Sequence, residues 1–580
     1  MPSSAGSAAR KGLHFHFGSH AIYHRFREQV HISGGGSKED MEVRRYVCGI
    51  ALGLLAGSSF VVPKASAADA GIWKVAPPPP VSWERDRVTD LTNRRKAAME
   101  QIGEKGILIL YAAEPRNYAG DVDWPYRQEN DFFYLTAIPQ PGSTLVLIPG
   151  AGRIREILFM PPSNPAEENW TGHILTPAEG RKISGIQEIW DARLLNGFLS
   201  ALIPPAGAIL AEEMQAGRGG RAGRGRAPDP PVAPPVDVNA EFAGTIEHVN
   251  QGEAQIFMIS RGRPAEYRRE IEFAGKLMGA GLTVKDATPV FAALRRVKSQ
   301  RETEILQHAV DITAEAFQRA YAAGVPGAWE YEIQAQFEFT FLRRNAHWGY
   351  PCIVASGVNA TTLHYETNKD RMKAGDLLLM DDAAEFDGYS VDVTRTIPVS
   401  GKYSKEQAEI YRLVWKAQKA AFQMALPGHT PSGGPTSVQG AANEVFKEGL
   451  FKMGLITDVH SDQQLRIWFN HGISHGIGLN VHDPGGRELQ PGMMITVEPG
   501  IYIRPDALEN LPKTPENEKF IEAVRPAFEK YKGIGVRIED DVLITTGAPK
   551  VISAGIPSKL EDVEATIAQL RRTQKSTPMP

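Results

Sequence analysis

The chain has 580 residues, 42% hydrophobic and 23% charged, with a formal net charge of −4 and a pI near 6.5. This is globular composition with apolar material for roughly two to four domains, and its mild acidity excludes a general affinity for nucleic acid. Only two cysteines are present, Cys48 and Cys352, which excludes a disulfide framework and a thiolate zinc cluster.

Residues 1–40 fit no targeting pattern and read as translation from a start codon placed too far upstream. From Met41, Arg44 and Arg45 form a basic n-region, Tyr46 to Val62 an apolar core, and Ala65-Ser66-Ala67 a cleavage site. Gly53, Gly57, Ser58 and Ser59 interrupt the apolar run, which favours a cleaved signal over a membrane anchor. Residues 1–67 are therefore expected to be missing from a periplasmic or secreted mature protein with no stable membrane insertion. Their removal takes away eight basic and four acidic residues, moves the formal charge from −4 to −8, and leaves Cys352 as a single core thiol.

Residues 68–86 form a proline-rich lead-in. A helical pattern follows from Arg87 to about Gly103, with Leu91, Ala97, Met99 and Ile102 as its buried face. GILILYAA (106–113) and STLVLIPG (143–150) read as buried strands, and YRQENDFFYLTAI (126–138) as a polar, aromatic segment ending in a strand-like run. Alternating strands and helices make 87–288 an α/β domain. Within it, 215–236 is low-complexity, rich in Arg, Gly and Pro; without interleaved aromatics it reads as a solvated insertion rather than a nucleic-acid arm. A long helix is predicted over 297–323, striped by Ile305, Leu306, Ala309, Val310, Ile312, Ala316, Phe317 and Ala320 and stopped by Gly324 and Pro326. The second domain spans 289–572, leaving a tail at 573–580.

Chemistry concentrates in that second domain. DLLLMDDAAEFDGYSVDVTRTIP (376–398) holds an Asp387-Gly388 hairpin signal between β-rich runs. That turn pairs Asp381 with Thr394 and Asp392 with Ala383, so Asp381 and Asp392 become diagonal neighbours on one face, roughly 7–8 Å apart at the backbone. With no lysine or arginine beside them on that face, they need a cation between them. HGISHGIGLNVHD (471–483) adds His471, His475 and His482 among glycines, without the glutamate of a zincin helix. Glu498 interrupts ITVEPGIYI (495–503), and Glu539 interrupts GIGVRIEDDVLI (533–544), two residues after Arg537. His364 stands in a polar loop, SGVNATTLHYET (356–367). Asp381, Asp392, His475, Glu498 and Glu539 form an oxygen-rich set whose four negative charges balance two divalent cations. Mn²⁺ is favoured, with Co²⁺, Fe²⁺ and Zn²⁺ also compatible, and two such ions about 3.5–4 Å apart can acidify a shared water.

Taken in order, these segments resemble the metal-dependent Xaa-Pro aminopeptidases (aminopeptidase P) of the M24 pita-bread peptidases, and 126–138 is similar to the signature of their N-terminal domain. The resemblance spans most of 87–570. It implies an α/β (α+β) protein, with a ribonuclease-H-like N-terminal domain before a pita-bread catalytic domain of two αβ halves. It implies Asp381, Asp392, His475, Glu498 and Glu539 as metal ligands, Asp392 and Glu539 as bridges, and Glu498 also as general base. His364 and His482 match substrate-contacting histidines; His471 and Arg537 match positions around the proline pocket. Substrates would be peptides with proline at the second position, and the family resemblance favours homo-oligomers. Two departures stand out. Asp382-Ala383-Ala384 replaces a small Gly-containing stretch, with Asp382 expected to face away from the site. Glu498 and Glu539 lie 41 residues apart because of an insertion around 506–530, a spacing similar to some Xaa-Pro dipeptidases (prolidases) and a candidate cap over the cleft. The prolidase is thus the alternative activity. A non-catalytic peptide-binding module is disfavoured because all five ligand positions are metal-competent, and a methionine aminopeptidase because of the large N-terminal domain.

Overall fold

The computed structural model describes residues 73–210 and 232–576; the export segment and the stretch 215–231 lie outside the described residues. Helix α1 (Arg87–Ile102) buries Leu91 and Ile102 as expected, but Ala97 and Met99 are only half-buried. Arg94, Arg95 and Ala98 take the inner positions. Both guanidinium groups are paired, Arg94 with Asp90 at 2.5 Å and Arg95 with Glu156 at 2.8 Å, which makes their burial tolerable.

A six-stranded mixed sheet follows, built from β1 (Gly106–Tyr111), β2 (Thr144–Leu147), β3 (Glu156–Met160), β4 (Glu188–Asp191), β5 (Gln255–Met258) and β6 (Thr283–Asp286) in the order β4-β3-β2-β1-β5-β6. β1 runs antiparallel to β2 and parallel to β5. Its side chains alternate between two cores: Ile107 and Ile109 face one confined to the N-terminal half, Leu108 and Leu110 one that continues through the C-terminal half. The segment 126–138 does not end in a strand. Asn130–Thr136 is helix α2, because the Glu129 carboxylate accepts the Phe132 N–H as an N-cap and Ala137, at φ 52°, ends the turn.

The C-terminal half opens with α3 (Thr288–Arg296) and α4 (Gln300–Ala323). The long helix starts at Gln300 rather than 297, since Ser299 and Glu302 form a capping box while Val297 and Lys298 bridge to Met493 and Gly492. All eight residues of its predicted stripe are buried. α5 (Glu330–Arg343) packs beside it. At the other end, α10 (Leu560–Ser576) runs through the start of the expected tail.

The Asp387-Gly388 hairpin forms in the expected register, with φ of 50° and 80° at the turn and Asp381 opposite Thr394. It is not one ladder. β9 (Leu377–Asp381) and β12 (Thr394–Pro398) share a sheet with β8 (Ile353–Ser356), whereas β10 (Ala384–Phe386) and β11 (Tyr389–Ser390) share another with β7 (His347–Trp348). Asp381 and Asp392 flank the seam. The same device recurs downstream: Glu498 separates β13 (Met494–Val497) from β14 (Gly500–Tyr502), and Glu539 separates β15 (Gly535–Arg537) from β16 (Asp540–Leu543). β13 and β16 pair in one sheet with β17 (Lys550–Val551), and β14 and β15 in another. Each chain turns from sheet to sheet at an acid, freeing that side chain from the pleat.

Helices α6 (Lys405–Met424), α7 (Val438–Met453), α8 (Asp462–Leu465) and α9 (Pro515–Tyr531) complete the half. α9 is the insertion. It buries Phe520, Val524, Phe528 and Tyr531, and Lys530 and Tyr531 bond Glu409 of α6 at 2.8 and 2.5 Å. Among the described residues, none of 506–531 hydrogen-bonds or ion-pairs with the acid–histidine cluster. No single described helix is long and apolar enough to cross a membrane.

Candidate metal centre

The breaks between sheets converge. Ligand atoms of Asp381, Asp392 and Glu539 lie within 4.8 Å of one another, as do those of His475, Glu498 and Glu539, and those of Asp392, His475 and His482. Asp392, Glu539 and His475 each belong to two of the three groups. His475 lies 3.0 Å through Nδ1 from the Gly476 carbonyl, which places a proton there and leaves Nε2 facing Asp392 Oδ2 and Glu498 Oε1, both at 3.4 Å. Burial pulls its pKa down, but the bond to Asp392 and the charges of Asp392 and Glu498 prevail and lift it to about 9.

The carboxylates crowd one another. Burial, opposed by His475 and reinforced by Asp392, raises Glu498 to about 7. Burial, then Asp392, Glu498 and Asp381, drives Glu539 well above the carboxylate range. Glu539 Oε2 accepts from Thr394 Oγ1 at 2.6 Å, yet Oε1 is buried without a hydrogen-bond partner. An orphaned carboxylate oxygen within a cluster short of positive charge suits divalent cations.

One cation was not foreseen on this face. Arg537 Nη2 donates to Asp381 Oδ2, Nε to Thr394 Oγ1 at 3.0 Å and Nη1 to Tyr502 Oη at 2.9 Å. Two divalent ions against the four carboxylates would therefore leave the arginine's charge in excess. Tyr502 Oη donates a hydrogen bond to His471 Nε2 at 2.9 Å, and His471 Nδ1 faces the Gly472 carbonyl at 2.8 Å. Burial and Arg537 hold His471 down at about 4, so the ring is neutral at neutral pH. The ring of His482 lies 4.1 Å from that of His475, and burial followed by His475 lowers its pKa. His364 is exposed after a 3₁₀ turn (Gly357–Thr361).

A profile for metallopeptidase family M24 matches residues 304–546, and one for the aminopeptidase P N-terminal domain matches 91–210. A Xaa-Pro aminopeptidase of Escherichia coli (strain K12) is 30% identical over 498 residues, covering 83% of this chain and 98% of that protein. The chain belongs to the aminopeptidase P branch of family M24. A Xaa-Pro aminopeptidase of Haemophilus influenzae is also 30% identical, over 82% of this chain and 96% of the relative. A solved aminopeptidase P from E. coli with the inhibitor Pro-Leu superposes with a TM-score of 0.66 at 29% identity, covering 83% of this chain and 99% of that one. The two-part α/β architecture, an aminopeptidase P N-terminal domain before a pita-bread domain, is that of the family.

In this aminopeptidase P homologue several residues around the centre escaped sequence reasoning. Tyr350 Oη lies 2.7 Å from both Asp381 Oδ1 and Asp392 Oδ1. A phenol has one proton to donate, so Tyr350 donates to one of the two carboxylates at a time. The sequence signal is slight: a tyrosine between Gly349 and Pro351 ahead of β8. Glu330, fully buried on α5, accepts from Ser356 N–H, Ser356 Oγ and Asn359 through Oε1 and from Tyr365 Oη and Asp370 N–H through Oε2. It thereby ties both ends of the His364 loop. Asp382 is wholly buried and adjoins the Cys352 thiol, so the core thiol has an acidic neighbour after all.

The N-terminal half grips the histidine loop. Asp131 of α2 pairs with Arg295 at 2.7 Å, Arg295 also pairs with Asp483, and Lys298 meets Asp483 at 3.0 Å, all four residues being buried. Arg127 donates to the Leu479 carbonyl at 2.6 Å and Asn130 to Asn480 Oδ1 at 2.6 Å. The signature at 126–138 therefore braces the segment that presents His482.

Proposed function

We propose that this chain is an exported metallo-aminopeptidase that releases an N-terminal residue preceding proline. The convergence of five metal-competent side chains around the unpartnered Glu539 oxygen carries this reading, and the Xaa-Pro aminopeptidase names of its relatives supply the bond. Asp381, Asp392, His475, Glu498 and Glu539 would hold two divalent ions, with Asp392 and Glu539 in the shared positions. Mn²⁺ is the ion this donor set favours; when bound, the ions supply charge that polarises the scissile carbonyl and acidifies the attacking water.

The protein's own groups perform the remaining work. Glu498 accepts the water's proton as the oxygen adds to the carbonyl carbon. His364 and His482 face the developing oxyanion from two loops. The carbon–nitrogen bond then breaks and the proton passes to the proline nitrogen, which leaves as a secondary amine. His471, held neutral against Tyr502, lines the proline side with Arg537 behind it. The signal from Met41 to Ala67 supports export to the periplasm or beyond.

The test compares Xaa-Pro dipeptides with Xaa-Pro-Yaa-Zaa tetrapeptides on the chain from Ala68, after metal stripping and after Mn²⁺ is restored. Metal-dependent release of the first residue from the tetrapeptide is expected. Cleavage confined to the dipeptide would assign a prolidase, and no cleavage despite bound metal a binding module. Sequencing the N-terminus of exported protein checks the signal, with Ala68 the expected first residue.

A further inference from the structure

Seven of the eighteen large apolar side chains that stand exposed among the described residues fall between 325 and 358. Three of them, Tyr331, Phe339 and Leu342, belong to α5 and are 49%, 51% and 65% exposed. With the exposed Ala335 they recur at i, i+4, i+8 and i+11, a single stripe on the side of the helix opposite buried Ile333, Phe337 and Phe341. Trp329 stacks on Tyr331 at one end, with ring centroids 5.6 Å apart, and β7, which packs against α5, presents the exposed Trp348. Single apolar side chains are ordinary on a surface, but a continuous stripe marks a contact. Charge is ordered along it as well. Glu332 and Arg343, both exposed, flank the stripe on the same side, about 16 Å apart along the helix. Glu332 accepts the Trp329 N–H through Oε2 at 2.7 Å, and a carboxylate can accept at both oxygens.

We propose that a second copy of this chain docks on this face, α5 against α5, antiparallel about a two-fold axis, with Glu332 of each copy against the partner's Arg343. A two-fold interface must be complementary to itself, and this stripe is. Turned end over end about a point near residue 337, it brings Tyr331 opposite the partner's Leu342, the small Ala335 opposite the partner's large Phe339, and Glu332 opposite the partner's Arg343. The two charges lie on one flank at opposite ends, which is the placement an antiparallel pair needs. Antiparallel helices also set each positive N-terminal end beside a negative C-terminal end. An anionic membrane surface fits less well, because Glu332 and Glu338 border the stripe.

The experiment is sedimentation velocity on the full chain over a range of concentrations, with circular dichroism to check that each variant keeps its fold. Leu342→Asp and Phe339→Asp, both at exposed positions, are expected to raise the dissociation constant at least about tenfold and to halve the assembly's mass at concentrations where the unmutated protein is associated. Arg343→Glu should also weaken association, because it sets an acid against the partner's Glu332. Adding Glu332→Arg to Arg343→Glu restores opposite signs across the axis and should recover part of the loss, a rescue that general destabilisation would not give. An unmutated protein that is monomeric at every concentration overturns the proposal. If that monomer binds phosphatidylglycerol vesicles and Leu342→Asp abolishes the binding, the face belongs to a membrane instead. An assembly that none of Leu342→Asp, Phe339→Asp and Arg343→Glu weakens overturns it too, since the copies then meet elsewhere. Each of these results leaves the aminopeptidase reading untouched.

Discussion

Asp392 is fixed from two sides. Its backbone N–H donates to Asp541 at 3.1 Å, and its carboxylate contacts Tyr350 and His475. Asp392→Ala is expected to lower kcat/KM at least about a hundredfold, with metal content reduced and circular dichroism preserved, because it removes a ligand from a framework held by other contacts. Near-normal activity with metal present would sink the two-ion mechanism. Protons and metal compete for the same atoms. In the metal-free site His475 keeps its proton up to about pH 9 and Glu498 up to about pH 7, and both must lose it to ligate. Apparent metal affinity should therefore rise from pH 6 to 9 with net proton release, seen by calorimetric titration in buffers of different ionisation enthalpy. The Asp pair was legible because an Asp-Gly turn and a period of two fix who faces whom. The pairing of Arg537 with Asp381 and the presence of Tyr350 were not, because these contacts are tertiary, 156 and 31 residues away from Asp381.

Among elements, the His364 loop depends on a helix that carries none of the proposed chemistry. Glu330→Gln retains one acceptor but presents an amide to Tyr365 Oη and to Asp370 N–H, and the backbone N–H requires an oxygen. The expected cost is about 1–3 kcal/mol in stability by thermal or urea denaturation. Tetrapeptide kcat should fall with it, because the loop that presents His364 loosens; unchanged kcat in a destabilised variant would separate the loop from catalysis. Nothing in local sequence marks Glu330, since its five donors come from four later residues. α2 shows the opposite failure: Phe132, Phe133 and Tyr134 favour strands by composition, but the Glu129 cap and the left-handed Ala137 decide for a helix. The long helix α4 was readable because its stripe and Gly324 stop are local signals, and only its first turn moved, where the Ser299 capping box sets the start.

Across the whole molecule, the buried chain Asp131–Arg295–Asp483–Lys298 connects the two halves beside His482. Arg295→Met strands Asp131 in the interior and leaves Asp483 to Lys298 alone, and should cost about 3–5 kcal/mol, measured by denaturant titration. Pairing it with Asp131→Leu removes the stranded charge and should return part of the loss. Phe133 of α2 also lies against the hairpin turn: a Cβ added to Gly388 would sit 2.9 Å from its ring, at a residue with φ of 80°. The turn that brings the two aspartates together is thus moulded to the opposite half of the protein. For anyone recombining such enzymes, the exchangeable module is not the metal-bearing half alone. A chimera should keep its parental α2 together with its parental hairpin and histidine loop, or redesign all three as a unit.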